Sequence, residues 1–311
     1  MTTSPSQKER VMLETAPALA VVVLTFNEEQ NLPACLGSVA GWARELFIVD
    51  SGSTDSTVAI ARQFGAEVAT HRFESHSKQW KWALTDLPIR APWILALDAD
   101  QSLTAELKAE ISRKLIEWAD GAEPAGAYVN RRQIFRGRWI RHGGYYPKYL
   151  LKLFRRDRVS LDESDLVDHH FAVSGSTVNL DGDLIEDNRN EAEISVWIRK
   201  HTGYAVLQAR EEQARLAGGK RPAGAVFGSP DARTQLRKQI WNRMPLYIRP
   251  FGYFFYRYFI RLGFLDGKEG FIFHFMQAFW YRLLVDINRD ELRSSDRASS
   301  AQVDSPVKVI R

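Results

Sequence analysis

Cysteine is nearly absent. Cys35 is the single one in 311 residues, so the chain closes no internal disulfide and offers no thiolate cluster to a metal, which suits a reducing compartment. Long apolar runs are also missing. No stretch approaches the roughly 18–20 uninterrupted apolar residues of a membrane-spanning helix. The first apolar run, Ala18 to Leu24, lacks the length and flanks of a secretory signal core, so a cytoplasmic location is expected. Neither G-x-G-x-x-G nor G-x-x-x-x-G-K-[ST] occurs, which excludes a standard dinucleotide fold and a P-loop. Any nucleotide has to be gripped by side chains and metal rather than by a glycine-rich cradle.

What is present is a balanced globular composition, 45% hydrophobic and 26% charged, with a net charge of +4 and pI near 9.1. The basic residues gather at 131–158 and 199–261. They form no recognisable nucleic-acid module, so no nucleic-acid partner is expected. Residues 1–17 and 291–311 are polar and are expected to be disordered arms. Between them, Ala20 to Thr25 is a β-branched run of the kind buried on both faces of a sheet. Asn31 is placed to cap a helix carrying Leu32, Leu36 and Val39. Leu46–Val49 is a second strand, Asp55–Phe64 a helix closed by Gly65, Glu67–Thr70 a third strand and Trp93–Leu97 a fourth. This alternation predicts an α/β fold, a mainly parallel sheet with helices on both faces. Ser102–Trp118 reads as an amphipathic helix, and Ala127–Phe135, Tyr149–Phe154 and Phe171–Leu180 as strands of mixed polarity. The domain expected over 18–217 is followed by a glycine- and proline-rich linker at 218–231 and a helical region at 232–290.

In sheets of this kind ligands bind outside the carboxyl ends of the strands. Three polar clusters fall there: Thr25-Phe26-Asn27-Glu28-Glu29, Asp50-Ser51-Gly52-Ser53-Thr54-Asp55, and Asp98-Ala99-Asp100. Each alone is ordinary turn chemistry. Three at one sheet edge point to a site. Asp98 and Asp100 are hard oxygen ligands, suited to Mg²⁺ or Mn²⁺ that keeps waters and binds substrate phosphates.

These motifs, in this order and spacing, resemble family 2 glycosyltransferases of the GT-A fold, over roughly residues 18–120. Ser75-His76-Ser77-Lys78-Gln79-Trp80, His142-Gly143-Gly144-Tyr145-Tyr146-Pro147 and Leu153-Phe154-Arg155-Arg156 are similar to the bacterial subgroup that includes lipopolysaccharide-core glucosyltransferases. The resemblance implies an inverting enzyme with a nucleotide-sugar donor, UDP-sugar favoured. It implies a pocket lined by Thr25, Asn27, Glu28 and Ser53, with Asp50 on the base or ribose and Lys78 near the diphosphate. Asp98 would approach the ribose or a metal-bound water, and Asp100 would ligate the metal. Two departures from the subgroup stand out: Gln101 replaces an acidic residue, and Asp168-His169-His170 stands where relatives carry glutamate.

Inverting transfer needs a general base for the acceptor hydroxyl. Asp168 and His169 are the first candidates, because they align with the subgroup's acidic position; Glu186 and Asp187 are the alternative. Arg155 and Arg156, with Lys152, follow a strand that can face phosphates. Phe251, Tyr253, Phe254, Phe255, Tyr256, Tyr258 and Phe259, interrupted by Arg249, Arg257 and Arg261, read as helices lying in the interface of an anionic membrane. That pattern fits a peripheral enzyme of the inner membrane face acting on a lipid-linked or other glycan acceptor. Two other readings stay open: a scaffolding module that has lost catalysis, and a nucleotidyltransferase, for which Thr25–Gln30 lacks the glycine-rich basic loop.

Overall fold

The computed structural model describes residues 17–119, 124–161, 171–217, 241 and 243–303. The described chain divides into two compact units at Ile194/Ser195.

The first unit is built on one large mixed sheet, ordered β3-β2-β1-β4-β8-β6-β11-β5. β1 (Leu19–Thr25) lies between β2 (Glu45–Asp50) and β4 (Trp93–Asp98), parallel to both, and β2 pairs in parallel with β3 (Glu67–Thr70). Being central, β1 is buried along almost its whole length, as its β-branched sequence requires. Its residues alternate between two cores. Val21 and Val23 pack with Leu32, Leu36 and Val39 of α1 (Leu32–Val39) and with Leu107, Ile111 and Leu115 of α4 (Ala105–Ala119). Ala20 and Val22 pack on the opposite face with Trp80 and Ala83 of α3 (His76–Asp86). α2 (Thr57–Gln63) connects β2 to β3 and ends at Gly65, whose φ of +76° is the left-handed conformation that favours glycine.

The sheet is less uniformly parallel than its sequence suggests. β8 (Tyr149–Arg155) runs antiparallel between β4 and β6 (Gly126–Phe135), and β6 is parallel to β11 (Thr177–Glu186). The carboxyl ends of β1, β2, β4, β6 and β11 therefore share one edge. The strand expected over 171–180 is two strands, β10 (Phe171–Val173), paired with β9 (Val159–Leu161), and β11. The helix expected from Ser102 begins at Ala105. Gln101–Leu103 forms β5, because Gln101 and Leu103 pair with Glu186 and Leu184, and Thr104 Oγ1 then accepts the Leu107 amide at 3.2 Å to open the helix. Asn31 does not cap α1 with its side chain; its amide is spent elsewhere. β6 continues through a two-residue turn, Arg136-Gly137, both at positive φ (52° and 77°), into β7 (Arg138–Trp139). Such a turn matches the twist of a hairpin.

The second unit contains α5 (Ile194–Ala217), α6 (Arg249–Phe255), α7 (Gly267–His274) and α8 (Tyr281–Val303), with π-helical turns at Tyr256–Ile260 and Phe275–Trp280. α5 was expected to close the catalytic domain at 217. It groups instead with the C-terminal helices, because Ala205 and Ala209 pack on Tyr281 and Val285. α8 continues to Val303. Residues 291–303 are thus helical rather than a disordered tail: no proline or glycine interrupts them, and Ser295 Oγ bonds back to the Glu291 carbonyl at 3.0 Å. The rest of that tail, the residues before 17 and the linker expected at 218–231 lie outside the described residues.

Candidate active site

The β1 and β2 ends form one interlocked loop pair. Asp50 is buried, and its carboxylate accepts from Thr25 Oγ1 (3.1 Å), Ser53 Oγ (2.5 Å), and the amides of Gly52 (2.9 Å) and Ser53 (2.8 Å). Those bonds hold the turn after β2 and leave Asp50 as an organiser of the loop. Asn27, at φ 54°, accepts the Thr54 amide on Oδ1 (2.8 Å), while its own amide donates to Ser53 Oγ (2.8 Å). Asparagine tolerates the left-handed conformation that this crossing needs. The Glu28 amide donates to Thr57 Oγ1 (2.7 Å), and the Glu28 carboxylate accepts from Asn31 (2.7 Å) and Asn190 (3.0 Å). Asn31 also meets Asn188 and the Arg189 amide, so the segment after β11 is tied to the segment after β1.

Asp55 anchors the other side of this pair. Partial burial pushes its carboxyl upward, but the Thr57 hydroxyl and amide, with the Glu29 amide, outweigh burial and hold it below its ordinary value.

At the end of β4, Asp98 Oδ2 accepts from Lys152 Nζ at 2.8 Å; Lys152 is buried and the Asp98 side chain is 36% exposed. Gln101 Oε1 accepts the Asp98 amide (3.1 Å), and Gln101 Nε2 donates to Glu186 (2.9 Å). Glu186 is also paired with Arg131 at 2.9 Å, both largely buried. Burial alone would pull the Arg131 guanidinium downward; Glu186 and Asp100 hold it above its usual range. Asp100 is joined to the next residue, Asp187, whose amide donates to the Asp100 carbonyl at 3.0 Å. Cys35, fully buried, has its thiol pushed far up by desolvation and by the neighbouring carboxylates of Asp100 and Asp98.

The structure thus brings Thr25, Asn27, Glu28, Asp50 and Ser53 into one lattice, and Asp98, Asp100, Glu186 and Asp187 into a second, with Asn188 and Asn190 linking the two. Lys78, on α3, makes an exposed ion pair with Glu74, which precedes the helix. Lys152, read from sequence as facing phosphates, is the cation seated on Asp98, and Arg131 and Gln101 support Glu186; Arg131 was not singled out by sequence. Gln101 stood out by motif only as a departure; its role could not be read there, because it lies in a bond to a residue 85 positions away. Asp168 and His169 lie outside the described residues.

By donor chemistry Asp98 and Asp100 suit a hard divalent cation, with one Asp98 oxygen already taken by Lys152. Asp98 and Asp100 offer carboxylate oxygens at a strand exit, and no group of three or more His, Cys, Asp or Glu side chains is placed to hold a metal among the described residues. A cation there would keep positions for diphosphate oxygens and water, as Mg²⁺ and Mn²⁺ do.

Residues 20–176 match Glycosyl transferase family 2. An uncharacterized glycosyltransferase of Rickettsia bellii is 37% identical over 93 residues, 30% of this chain and 31% of that protein, so the alignment spans about a third of that relative's length. The lipopolysaccharide core biosynthesis glycosyltransferase LpsC of Rhizobium meliloti is 29% identical over 239 residues, covering 72% of this chain and 83% of that one. The uncharacterized glycosyltransferase Mb0553 of Mycobacterium bovis is 31% identical over 217 residues, covering 68% and 93%. With its motifs at one edge of a GT-A-like mixed sheet and half the chain matching the family, the protein belongs to glycosyl transferase family 2.

Proposed function

We propose that this chain transfers a sugar from a UDP-sugar, with inversion, to a glycan acceptor carried at a membrane surface. The observation that carries the reading is the backbone bond from the Asp187 amide to the Asp100 carbonyl, which brings a half-exposed acid, paired with Arg189 at 3.7 Å, to the segment that ends in Asp-x-Asp. The interlocked loops after β1 and β2 form the nucleotide side. Thr25, Asn27, Glu28 and Ser53 set its shape, and Asp50 acts through the loop it holds. Asp98 and Asp100 would hold Mn²⁺ or Mg²⁺, which supplies charge neutralisation for the departing diphosphate.

Asp187 is the base in this reading. It takes the proton from the acceptor hydroxyl, whose oxygen bonds to the anomeric carbon from the face opposite the leaving group. The bond to the phosphate oxygen breaks in the same displacement, and UDP departs with that electron pair. Glu186 is less suited, since Arg131 and Gln101 occupy its carboxylate. The membrane element rests on the second unit. Thirteen of the twenty-one exposed large apolar side chains among the described residues fall in 244–275. They include Phe251, Phe255 and Phe259, in a stretch linked by ring contacts such as Phe255–Phe259 and Phe271–Phe275. No helix among the described residues is long and apolar enough to cross a bilayer. The lipopolysaccharide-core relative favours an acceptor of that class.

The test is turnover by Asp187→Asn, which keeps the backbone bond to Asp100 and removes the base. Its kcat should fall by about 10²–10⁴-fold while UDP affinity stays near that of the parent. Unchanged kcat, or a comparable loss confined to Asp168→Asn or His169→Ala, would move the base to those positions.

A further inference from the structure

The acid-free stretch beside the site carries more cations than the site itself uses. Residues 124–156 carry nine Arg or Lys and no Asp or Glu. Several of these cations are internally spent: Arg131 on Glu186, Arg132 on Asp183, Lys152 on Asp98 and Arg155 on Asp157. Arg136, Arg138 and Arg141 are exposed and make no ion pair among the described residues.

Their setting is built. Arg132 and Arg141 both lie over the indole of Trp139, at 4.7 and 5.2 Å from its centroid, so one ring holds two guanidiniums together. Tyr146 meets that indole edge-on at 4.9 Å and donates its hydroxyl to Asp183 at 3.2 Å. The buried Asp183 also accepts from Asn130 (2.9 Å) and Arg132 Nε (2.6 Å). Asp183 is therefore already committed to three donors on the inner side of the hairpin. Among the described residues no carboxylate pairs with the outer guanidiniums of Arg136, Arg138 and Arg141.

Position decides what the hairpin meets. In the sheet register Gln133 lies opposite Glu186, and Glu186 opposite Gln101. The Arg136-Gly137 turn is three residues further along β6, about 10 Å beyond Glu186 at strand rise. The hairpin thus rises from the same edge as Asp100 and Asp187, on the side of the sheet away from the β1 and β2 loops.

We propose that the β6–β7 hairpin is an acceptor subsite for a phosphate group, whose exposed cations are Arg136 and Arg138 at its tip and Arg141 over the Trp139 ring. It selects phosphorylated glycan acceptors over neutral ones. Guanidiniums suit phosphate bidentately, and a hairpin tip about 10 Å beyond Glu186 along the strand suits a phosphate on the acceptor rather than on the donor. The subsite rests on the reading of Asp98, Asp100 and Asp187 as the donor and base side.

Inorganic phosphate is the probe. The full chain, saturated with UDP and Mg²⁺ so that the diphosphate site is filled, is titrated with phosphate and followed by ³¹P line broadening. UDP affinity is measured in parallel. Arg138→Gln with Arg141→Gln should weaken phosphate about five-fold or more and leave UDP affinity unchanged. Arg141→Lys, which keeps the charge and loses the fork, should fall between. Phosphate affinity equal in parent and double variant overturns the subsite, as does a parent that binds no phosphate. A third arm uses vesicles of equal parts phosphatidylcholine and phosphatidylglycerol. Loss of vesicle binding with phosphate affinity intact would make the hairpin a lipid contact and overturn the acceptor assignment. Failure of the parent to bind UDP strikes the donor reading instead, and is seen separately.

Discussion

Asp98 and Asp100 look equivalent in sequence, yet their surroundings give them different work. Lys152 is buried and depends on Asp98 for its counter-charge. Asp98→Ala leaves that ammonium unpaired, and a broken buried pair costs about 3–5 kcal/mol. With Asp98 itself 36% exposed, about 2 kcal/mol is expected here. Asp100→Ala should cost far less, and urea unfolding of the two variants side by side measures the difference. Asp55 gives a prediction in acid. Its folded value lies below the ordinary 3.8, so its contribution is complete above that value and is lost as pH falls through the folded one. Asp55→Asn should therefore be less stable than the parent at neutral pH by about 1 kcal/mol, and the two stability curves should converge in acid. A constant gap down to the acid limb would show that the carboxylate is not the source. At this scale the motif residues were legible because hard ligands and turn formers are conspicuous at strand ends. The partners of Lys152 and Arg131 were not, since a cation within a strand is told from a solvated one only by what lies across the sheet.

Elements were legible where one period dominates. β1 alternates between two cores and α1 carries its apolar face at helical spacing, and both fell where the pattern placed them. The misplaced boundaries share a cause. Leu103 stands at helical spacing from Leu107 and Ile111 and so extends α4 on paper, and only the pairing with β11 pulls Gln101–Leu103 into the sheet. α5 likewise reads as the end of one domain until its buried face is seen. Glu212 on α5 accepts from Arg249 of α6 at 3.0 Å and from Arg289 of α8 at 2.9 Å, and Asp286 completes the network, all of it buried. That network binds three helices of the second unit together. Arg249→Met removes the guanidinium that both acids share, with an expected loss of about 3–5 kcal/mol for that unit. Thermal unfolding followed by far-UV circular dichroism reads it. A variant as stable as the parent would mean that packing alone holds these helices.

On the scale of the whole molecule, each of the two units carries a surface of its own chemistry. One unit carries the acidic sheet edge and its basic hairpin; the other exposes Phe251, Phe255 and Phe259 to solvent at 48–60%. If those rings enter a membrane interface, replacing the three with serine should weaken co-flotation with phosphatidylglycerol vesicles by about 10-fold or more and leave UDP affinity unaltered. Binding that persists would make the aromatic face a contact between protein chains. The central claim, that the edge bearing Asp98 and Asp100 holds a nucleotide-sugar diphosphate through a divalent cation, is tested most directly by the melting temperature of the full chain with a UDP-sugar, with and without Mn²⁺, in the parent and in Asp100→Ala. A ligand that binds only the folded state must raise it. The account predicts a Mn²⁺-strengthened rise in the parent that vanishes in Asp100→Ala, with equal melting of the two proteins when no ligand is present. An equal rise in both would contradict it.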